Sequence, residues 1–485
     1  MSKMSRFPIH CISFLTISMG LGLFSGCALA PSRRLPREVP FTHATAFMPR
    51  APLAGQTPAG GKEIPSLDDR MLNLAQCIKI ALTQNPETRA SWQRSYSAAG
   101  GVGQARSAYL PSTDFTAGAN RSDLVTFDRP QATGPADTFT AGFGVRYLLF
   151  DGGARAAGLE GATAELLNAN FQHNATLQDV ALKVEEAYYR LLAARELERV
   201  AQQTVRQTQT HLDVARARYA NGLVARSDVL KVETEKADAD LLLVRAHSQV
   251  RIVRGQLANA MGLKPSQSFE VVELPKNPHQ RELADIRKLM AKAAVRRPEL
   301  QAALARVESK AAKVKAAKAR YWPKLTFNAD YGLRDRSFVP DRDEWSLGVG
   351  LAFPFFDGFN REYSIHRARA DLAGTAAAYD KLLQGVELEV WTAYAQLIEA
   401  GKAIEAARAL VASAEESVRV TEGEYKNGTA SIIELTDTQT ARTSANVRLV
   451  QARLDWYTAL ARLERAVGRT FVQAAADTTN GENNP

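Results

Sequence analysis

The feature that most limits what this chain can fold into is an internal duplication covering most of its 485 residues. Asn85-Pro86-Glu87 returns as Arg297-Pro298-Glu299, and Tyr109-Leu110-Pro111 as Tyr321-Trp322-Pro323, both at an offset of 212. Phe150-Asp151-Gly152 returns as Phe356-Asp357-Gly358, Tyr219-Ala220-Asn221-Gly222 as Tyr425-Lys426-Asn427-Gly428, and Met261-Gly262 as Val467-Gly468, all at an offset of 206. The second copy is therefore six residues shorter between its Pro and its Asp-Gly. Leu177, Val180, Val184, Ala187 and Leu191 step by 3, 4, 3 and 4, and 206 positions on stand Leu383, Val386, Val390, Ala393 and Leu397. Such a step is the seam of a left-handed coiled coil. Two copies are too few for a solenoid, which needs three or more stacked units. They predict one domain with a pseudo-twofold arrangement.

Each copy opens with a helical tract of about 40 residues, Asp68 to Ala108 and Leu283 to Arg320, in which Pro86 and Pro298 fall early enough to kink or break the helix. After Pro111 and Pro323 the hydrophobic period changes to two. Phe115, Ala117 and Ala119 alternate with polar residues or glycine, then Phe139, Ala141, Phe143, Val145, Tyr147 and Leu149 do the same. Copy two repeats this with Leu325, Phe327, Ala329, Tyr331 and Leu333, then Trp345, Leu347, Val349, Leu351, Phe353 and Phe355. These runs predict four strands of roughly 10–12 residues, the length and dyad pattern of a membrane-spanning strand. A half-buried soluble sheet alternates in the same way; the aromatic ends at Tyr109, Tyr321, Trp322 and Trp345 weigh towards lipid. Four strands cannot close a barrel in lipid, where every edge must be paired. Three copies sharing one barrel would give twelve.

Asp151-Gly152 and Asp357-Gly358 suit a sharp turn out of a strand, with Asp placed to cap the next helix. From Gly153 to Tyr219 and from Phe359 to Tyr425 the chain is free of proline, long enough for roughly 100 Å of helix each. Asn221-Gly222 and Asn427-Gly428 then read as tight helix–helix turns, after which helices resume over Ser227–Ala260 and Ser431–Ala466. Residues 264–282, with three prolines around Phe269-Glu270-Val271-Val272, read as a small irregular or β segment.

Residues 1–26 read as a secretory leader: Lys3 and Arg6, then an apolar run from Ile12 to Phe24 that is too short to span a bilayer. Leu23-Phe24-Ser25-Gly26-Cys27 resembles a bacterial lipobox, which makes Cys27 the lipidated N-terminus of the mature chain. Ordinary cleavage after Ala28-Leu29-Ala30 is the alternative. Residues 27–66 form an extended tether, 67–282 the first repeat (β-hairpin 111–150, helical hairpin 153–262, equatorial segment 263–282), 283–470 the second (β-hairpin 323–357, helical hairpin 359–468), and 471–485 a disordered tail.

Composition excludes several classes of function. Lys+Arg exceed Asp+Glu by 61 to 52, but the two signs interleave along the helical tracts, so no nucleic-acid groove is expected. Three cysteines, with Cys77 alone in the body, make neither a disulfide framework nor a Cys-cluster metal site. His173, His211, His247, His279 and His366 show no ligand spacing. No nucleophile elbow, P-loop or HExxH pattern is present, so no enzyme, cofactor or metal is expected.

Between Asp68 and Thr470 the order and spacing of the two Phe-Asp-Gly turns, Tyr219-Ala220-Asn221-Gly222-Leu223-Val224-Ala225-Arg226-Ser227-Asp228-Val229, and Tyr425-Lys426-Asn427-Gly428-Thr429 resemble the TolC family of bacterial outer-membrane efflux channels. The resemblance implies a mainly α fold with a transmembrane β part: a homotrimer whose 12-stranded barrel in outer-membrane lipid continues into a periplasmic α-helical barrel. It implies an inner-membrane pump of RND, ABC or MFS type and a periplasmic adaptor, which would contact the tips at Asn221, Gly222, Asn427 and Gly428. It also places acidic rings at Glu434 and Asp437, i, i+3 on one helix face, as the channel constriction. Ser431-x-x-Glu434 is equally a capping box, which needs Glu434 only for the helix start. Asp228 and Tyr425 match a family lock between tips, but Ala430 stands where its Arg belongs, leaving Arg226 as a substitute. The expected function is a passive exit duct for efflux. Type I protein secretion is the alternative within that class, and a coiled-coil scaffold or adaptor lipoprotein the alternative outside it.

Overall fold

A computed structural model describes residues 71–122, 135–273 and 285–468. The leader, Cys27, the 27–66 tether and the 471–485 tail lie outside the described residues. Copy one comprises β1 (Met71–Leu72), α1 (Leu74–Gln84), α2 (Pro86–Ser107), β2 (Ser112–Ser122), β3 (Ala136–Phe150), α3 (Ala154–Ala220), α4 (Arg226–Ala260) and β4 (Glu270–Val271). Copy two comprises α5 (Ile286–Arg296), α6 (Pro298–Ala319), β5 (Lys324–Asp335), β6 (Asp343–Ala352), α7 (Asn360–Asn427) and α8 (Ile432–Ala466).

The opening tracts are not single helices. Both break at the residue before proline, giving 11 and then 22 residues in each copy. The pre-proline position is pushed to extended backbone: Asn85 has φ −64°, ψ 130° and Arg297 φ −70°, ψ 121°. Each proline then sits in the first turn of the next helix, where its missing N–H costs nothing.

The four long strands form one antiparallel sheet in the order β2-β3-β5-β6. Phe115, Phe143, Tyr331 and Trp345 lie opposite one another across all four strands. They are 58–72% exposed, a row of aromatics left open among the described residues. One residue along, Asp114, Gly144, Asp330 and Ser346 line up on the other face. β2 and β6 each pair on one side only among the described residues. In hydrocarbon each unpaired peptide group costs several kcal/mol, so one copy of this sheet cannot stand there alone. The six-residue difference between copies falls wholly in the hairpin loops: 123–135 joins β2 to β3, whereas 336–342 joins β5 to β6.

From the sheet two helical hairpins run the same way, α3 with 67 residues and α7 with 68. α3 lies against α2, α4, α6 and α8, and α7 against α5, α6 and α8. The 3-4 seam is buried, but not as a simple two-helix zipper. In copy one Val180, Val184 and Leu191 share a core with Cys77 and Ile78 of α1 and with Leu257 of α4. In copy two Val386, Val390 and Leu397 pack with Ala293, Leu300 and Leu463. Burial pushes the Cys77 thiol up to about 12, so it stays protonated and unreactive. Beside these cores lies an ionic cluster. Arg465 of α8 donates to Asp179 at 2.7 and 2.9 Å and to Glu299, while Arg297 pairs with Glu299 and Glu389.

The strand-to-helix turns need left-handed backbone at Gly153 (φ 89°) and at its copy-two counterpart Phe359 (φ 63°). For a bulky side chain that conformation costs about 1 kcal/mol or more. Phe359→Gly is therefore expected to raise thermal stability by about 1 kcal/mol. No gain in a melting experiment would mean that the edge-to-face contact of Phe359 with Phe356, 5.7 Å between ring centres, offsets the strain.

Candidate gate at the helical tips

Both hairpins turn through Asn-Gly. Gly222 (φ 73°) and Gly428 (φ 81°) take the left-handed backbone that lets the helix end sharply. The Gly222 N–H donates to Tyr219 O at 2.9 Å and the Leu223 N–H to Arg218 O at 2.9 Å. The Gly428 N–H donates to Tyr425 O at 3.1 Å and the Thr429 N–H to Glu424 O at 3.0 Å. Asn221 adds a side-chain bond to Ala217 O at 2.7 Å. Asn221, Gly222, Asn427 and Gly428 are all exposed, which leaves the tips open to a partner.

The returning helices start differently. In copy two Ser431 caps α8: its hydroxyl accepts from Glu434 N at 3.2 Å, and the Glu434 carboxylate accepts from Ser431 N at 3.0 Å. Glu434 is thus engaged at the helix start. Asp437, one turn on, is exposed and makes no hydrogen bond or ion pair with a described residue. In copy one the cap is Ala225, which has no capping side chain. Helix α4 begins at Arg226, so Ser227 lies inside it, and Asp228 supplies the only acidic group of its first turn.

Within one chain the expected lock is not assembled. Tyr425 is 5% exposed and sits in an apolar cluster with Leu212, Val229, Val232, Ile432 and Leu435. Its hydroxyl is buried without a hydrogen-bond partner. The cation over its ring is Arg218, 4.4 Å from the centroid, not Arg226. Arg218 also donates to Lys426 O at 3.0 Å, tying one tip to the other. Among the described residues the Asp228 carboxylate accepts a hydrogen bond only from Ser227 Oγ, at 3.5 Å, and Arg226 is exposed without an ion pair.

A polar network above the tips joins the hairpins instead. Gln439 Nε2 lies 2.9 Å from Glu422 Oε1 and 3.1 Å from His211 Nε2. Arg442 donates to Gln439 Oε1 at 2.7 Å and to Gln207. The chain of contacts runs from α3 through α8 to α7. Burial holds the His211 imidazole below its ordinary pKa, against the pull of Glu422, so it is neutral at pH 7. Beside the network a cavity of about 270 Å³ opens between α3, α4 and α8, lined by Glu235, Asp238, Thr436 and His211. Burial raises the Glu235 carboxyl above its usual range; the Thr436 hydroxyl opposes the rise, and Asp437 and Asp238 add to it. Glu235 on α4 thus has two acidic neighbours, Asp437 across the helix interface and Asp238 on its own helix.

Sequence reasoning does not single out Glu235 or Asp238, although they repeat the i, i+3 carboxylate spacing of Glu434 and Asp437. His211 carries no local signal, because its partners lie more than 200 residues away. The described residues hold no group of side chains placed to bind a metal.

These features define a class of protein: a duplicated, sheet-topped helical duct. The outer membrane efflux protein family matches residues 77–263 and 289–469, and the chain belongs to that family. It is an outer-membrane efflux channel with a periplasmic extension, and the family is not enzymatic. Protein CyaE of Bordetella pertussis is 28% identical over 444 residues, covering 89% of this chain and 91% of that protein. Pyoverdine export outer membrane protein OpmQ of Pseudomonas aeruginosa is 25% identical over 429 residues, covering 84% of each. The solved structure of the outer-membrane channel OprN superposes with a TM-score of 0.73 at 18% identity, covering 91% of this chain and 99% of that one.

Proposed function

We propose that three copies of the chain form the exit duct of a tripartite efflux assembly, anchored through lipid on Cys27 and gated at the helical tips. The observation that carries this reading is a four-stranded sheet open at both edges above two helical hairpins of equal length. Free edges at β2 and β6 are satisfied if each copy pairs with the next. An inner-membrane pump supplies cargo and energy, and a periplasmic adaptor meets the exposed Asn-Gly turns. OpmQ is named for pyoverdine export, which supports efflux over protein secretion.

In this reading Asp437, Glu235 and Asp238 from three copies surround the narrow end of the duct. Packed carboxylates favour cations and resist full ionisation. The gate is held by the network of Glu422, Gln439, Arg442 and His211, with Tyr425 buried beneath it. Asp228 and Arg226 stand free to pair with the neighbouring copy.

Single-channel conductance in a planar bilayer tests this. Wild type is expected to give a small, cation-selective conductance. Asp437→Ala is expected to weaken cation selectivity markedly. Glu434→Ala is expected to cost about 1 kcal/mol of local helix stability through the lost cap, with little change in selectivity. Equal effects on selectivity would return Glu434 to the constriction. No conductance from a folded preparation would favour a scaffold.

A further inference from the structure

Five cations line a groove of two adjoining depressions on the upper helical wall, away from the tips; the two share Lys310, Lys313 and Ala316. Arg306, Lys310 and Lys313 project from α6 over α3, bounding a cavity of about 590 Å³. Lys310 and Lys313 also border the adjoining cavity of about 270 Å³ between α6 and α7, with Arg320 and Arg367. The carboxylates in the lining are Glu165 and Asp371. Glu165 is engaged by the Asn168 amide at 3.1 Å. None of the five cations makes an ion pair with a described residue; Arg320 has only a 3.4 Å contact to Ser364 Oγ. By contrast Lys315, on the same helix, is paired with Glu160 at 2.6 Å. On the α3 side the wall of the groove is small at one end, with Ala157, Gly158, Gly161 and Ala162, and polar at the other, with Glu165, Asn168 and Gln172, so access to the cations is open at the small-residue end.

The duplication shows that the fold does not need this charge. At the matching positions of copy one, 212 residues earlier, stand Arg94, Ala98, Gly101 and Ala108 in place of Arg306, Lys310, Lys313 and Arg320. Helix α2 is, like α6, 22 residues long and packs on α3 without them. Three extra cations thus gather where the backbone accepts alanine and glycine, and their mutual repulsion is not offset by any acidic partner of their own.

We infer that this groove binds phosphate groups. Several fixed ammonium and guanidinium donors around an open trough suit a phosphate's three or four acceptor oxygens, with Arg offering a two-pronged grip. The ligand has two sources with the same chemistry. One is the headgroup of an anionic phospholipid: Arg320 directly precedes the strand segment, and Lys313 and Arg367 lie only about 10 Å below the sheet at 1.5 Å per residue, about one Debye length. The other is a soluble phosphate-bearing anion. The inference does not depend on the proposed gate.

The test uses the full-length channel in detergent, with two probes. One arm titrates inorganic phosphate against chloride at constant ionic strength. The other compares micelles doped with phosphatidylglycerol or phosphatidylcholine, counting retained lipid by native mass spectrometry. Wild type is expected to bind at least one probe, and Lys310→Gln/Lys313→Gln/Arg367→Gln to bind it at least tenfold more weakly. Lys315→Gln, outside the groove, is expected to match wild type. Retention of phosphatidylglycerol without a response to inorganic phosphate assigns the lipid source; a response to inorganic phosphate alone assigns the soluble one. No preference by wild type for either probe overturns the inference, as does equal binding by the triple variant. Should the triple variant not assemble, Lys313→Gln carries the same comparison, because Lys313 is exposed.

Discussion

Arg465→Ala is expected to destabilise the folded chain by about 3 kcal/mol, the low end for removing one partner from a buried ionic cluster. Arg465 is 5% exposed and its guanidinium serves Asp179 and Glu299 together. Its loss leaves Glu299 with Arg297 and removes the ion-pair partner of Asp179. The low end applies because Asp179 is half exposed and keeps part of its hydration. Arg465→Lys is expected to recover little, since an ammonium cannot make the forked contact. Burial alone would raise the Glu299 carboxyl; the Arg465 and Arg297 guanidiniums outweigh it and hold the group below its ordinary range. The stability this pairing adds is thus complete above the unfolded carboxyl's pKa, about 4.3, and is lost as pH falls through the lower folded value. Thermal unfolding measured from pH 6 down to 3 should show that acid-dependent loss in wild type and a flatter profile in Glu299→Gln. An Arg465→Ala variant that melts with wild type would show that the cluster contributes nothing net.

Glu422→Gln combined with Arg442→Ala is expected to raise open probability at least about tenfold. The pair removes the charged members of the network between the hairpins, and one charge-assisted hydrogen bond is worth about 1.5–3 kcal/mol. Each 1.4 kcal/mol is a factor of ten in an equilibrium. Channel recordings decide the point: unchanged open probability would mean that these contacts survive opening and that the closed state is held elsewhere. Arg226→Ala tests contacts between copies by the same measurement. A larger effect from Arg226→Ala than from the double variant would move the lock to the boundary between copies.

The architecture is legible in the sequence because its signals are periodic and occur twice. Two offsets, 212 and 206, bracket the hairpin loops, and the dyad runs mark all four long strands. Pro86 and Pro298 mark where the opening tracts break, though the 11- and 22-residue split appears only in the structure. The gate is legible at its turns and less so at its contacts. Spacing within one helix exposes Glu434 and Asp437, and capping chemistry exposes the alternative role of Glu434. The meeting of His211 with Gln439 and Glu422 depends on how α3, α7 and α8 wind past one another, and no local pattern encodes that. Tyr425 shows the same limit. Sequence places it at a tip, but its burial and the cation supplied by Arg218 depend on packing between hairpins.

The two long helices that descend from one sheet span the same offset of 69 positions, from Gly153 to Gly222 and from Phe359 to Gly428, and act as paired rulers. Inserting a single residue into either would lower its tip by about 1.5 Å and turn it by roughly 100° relative to the sheet. The six tips of a trimer would then no longer end level, and every contact between hairpins below the insertion would lose register. The two copies are consequently free to drift apart in residue identity, as Gly153 and Phe359 have, while their helix lengths can change only in step. Growth and shrinkage are left to the segments between paired strands, where the copies already differ by six residues.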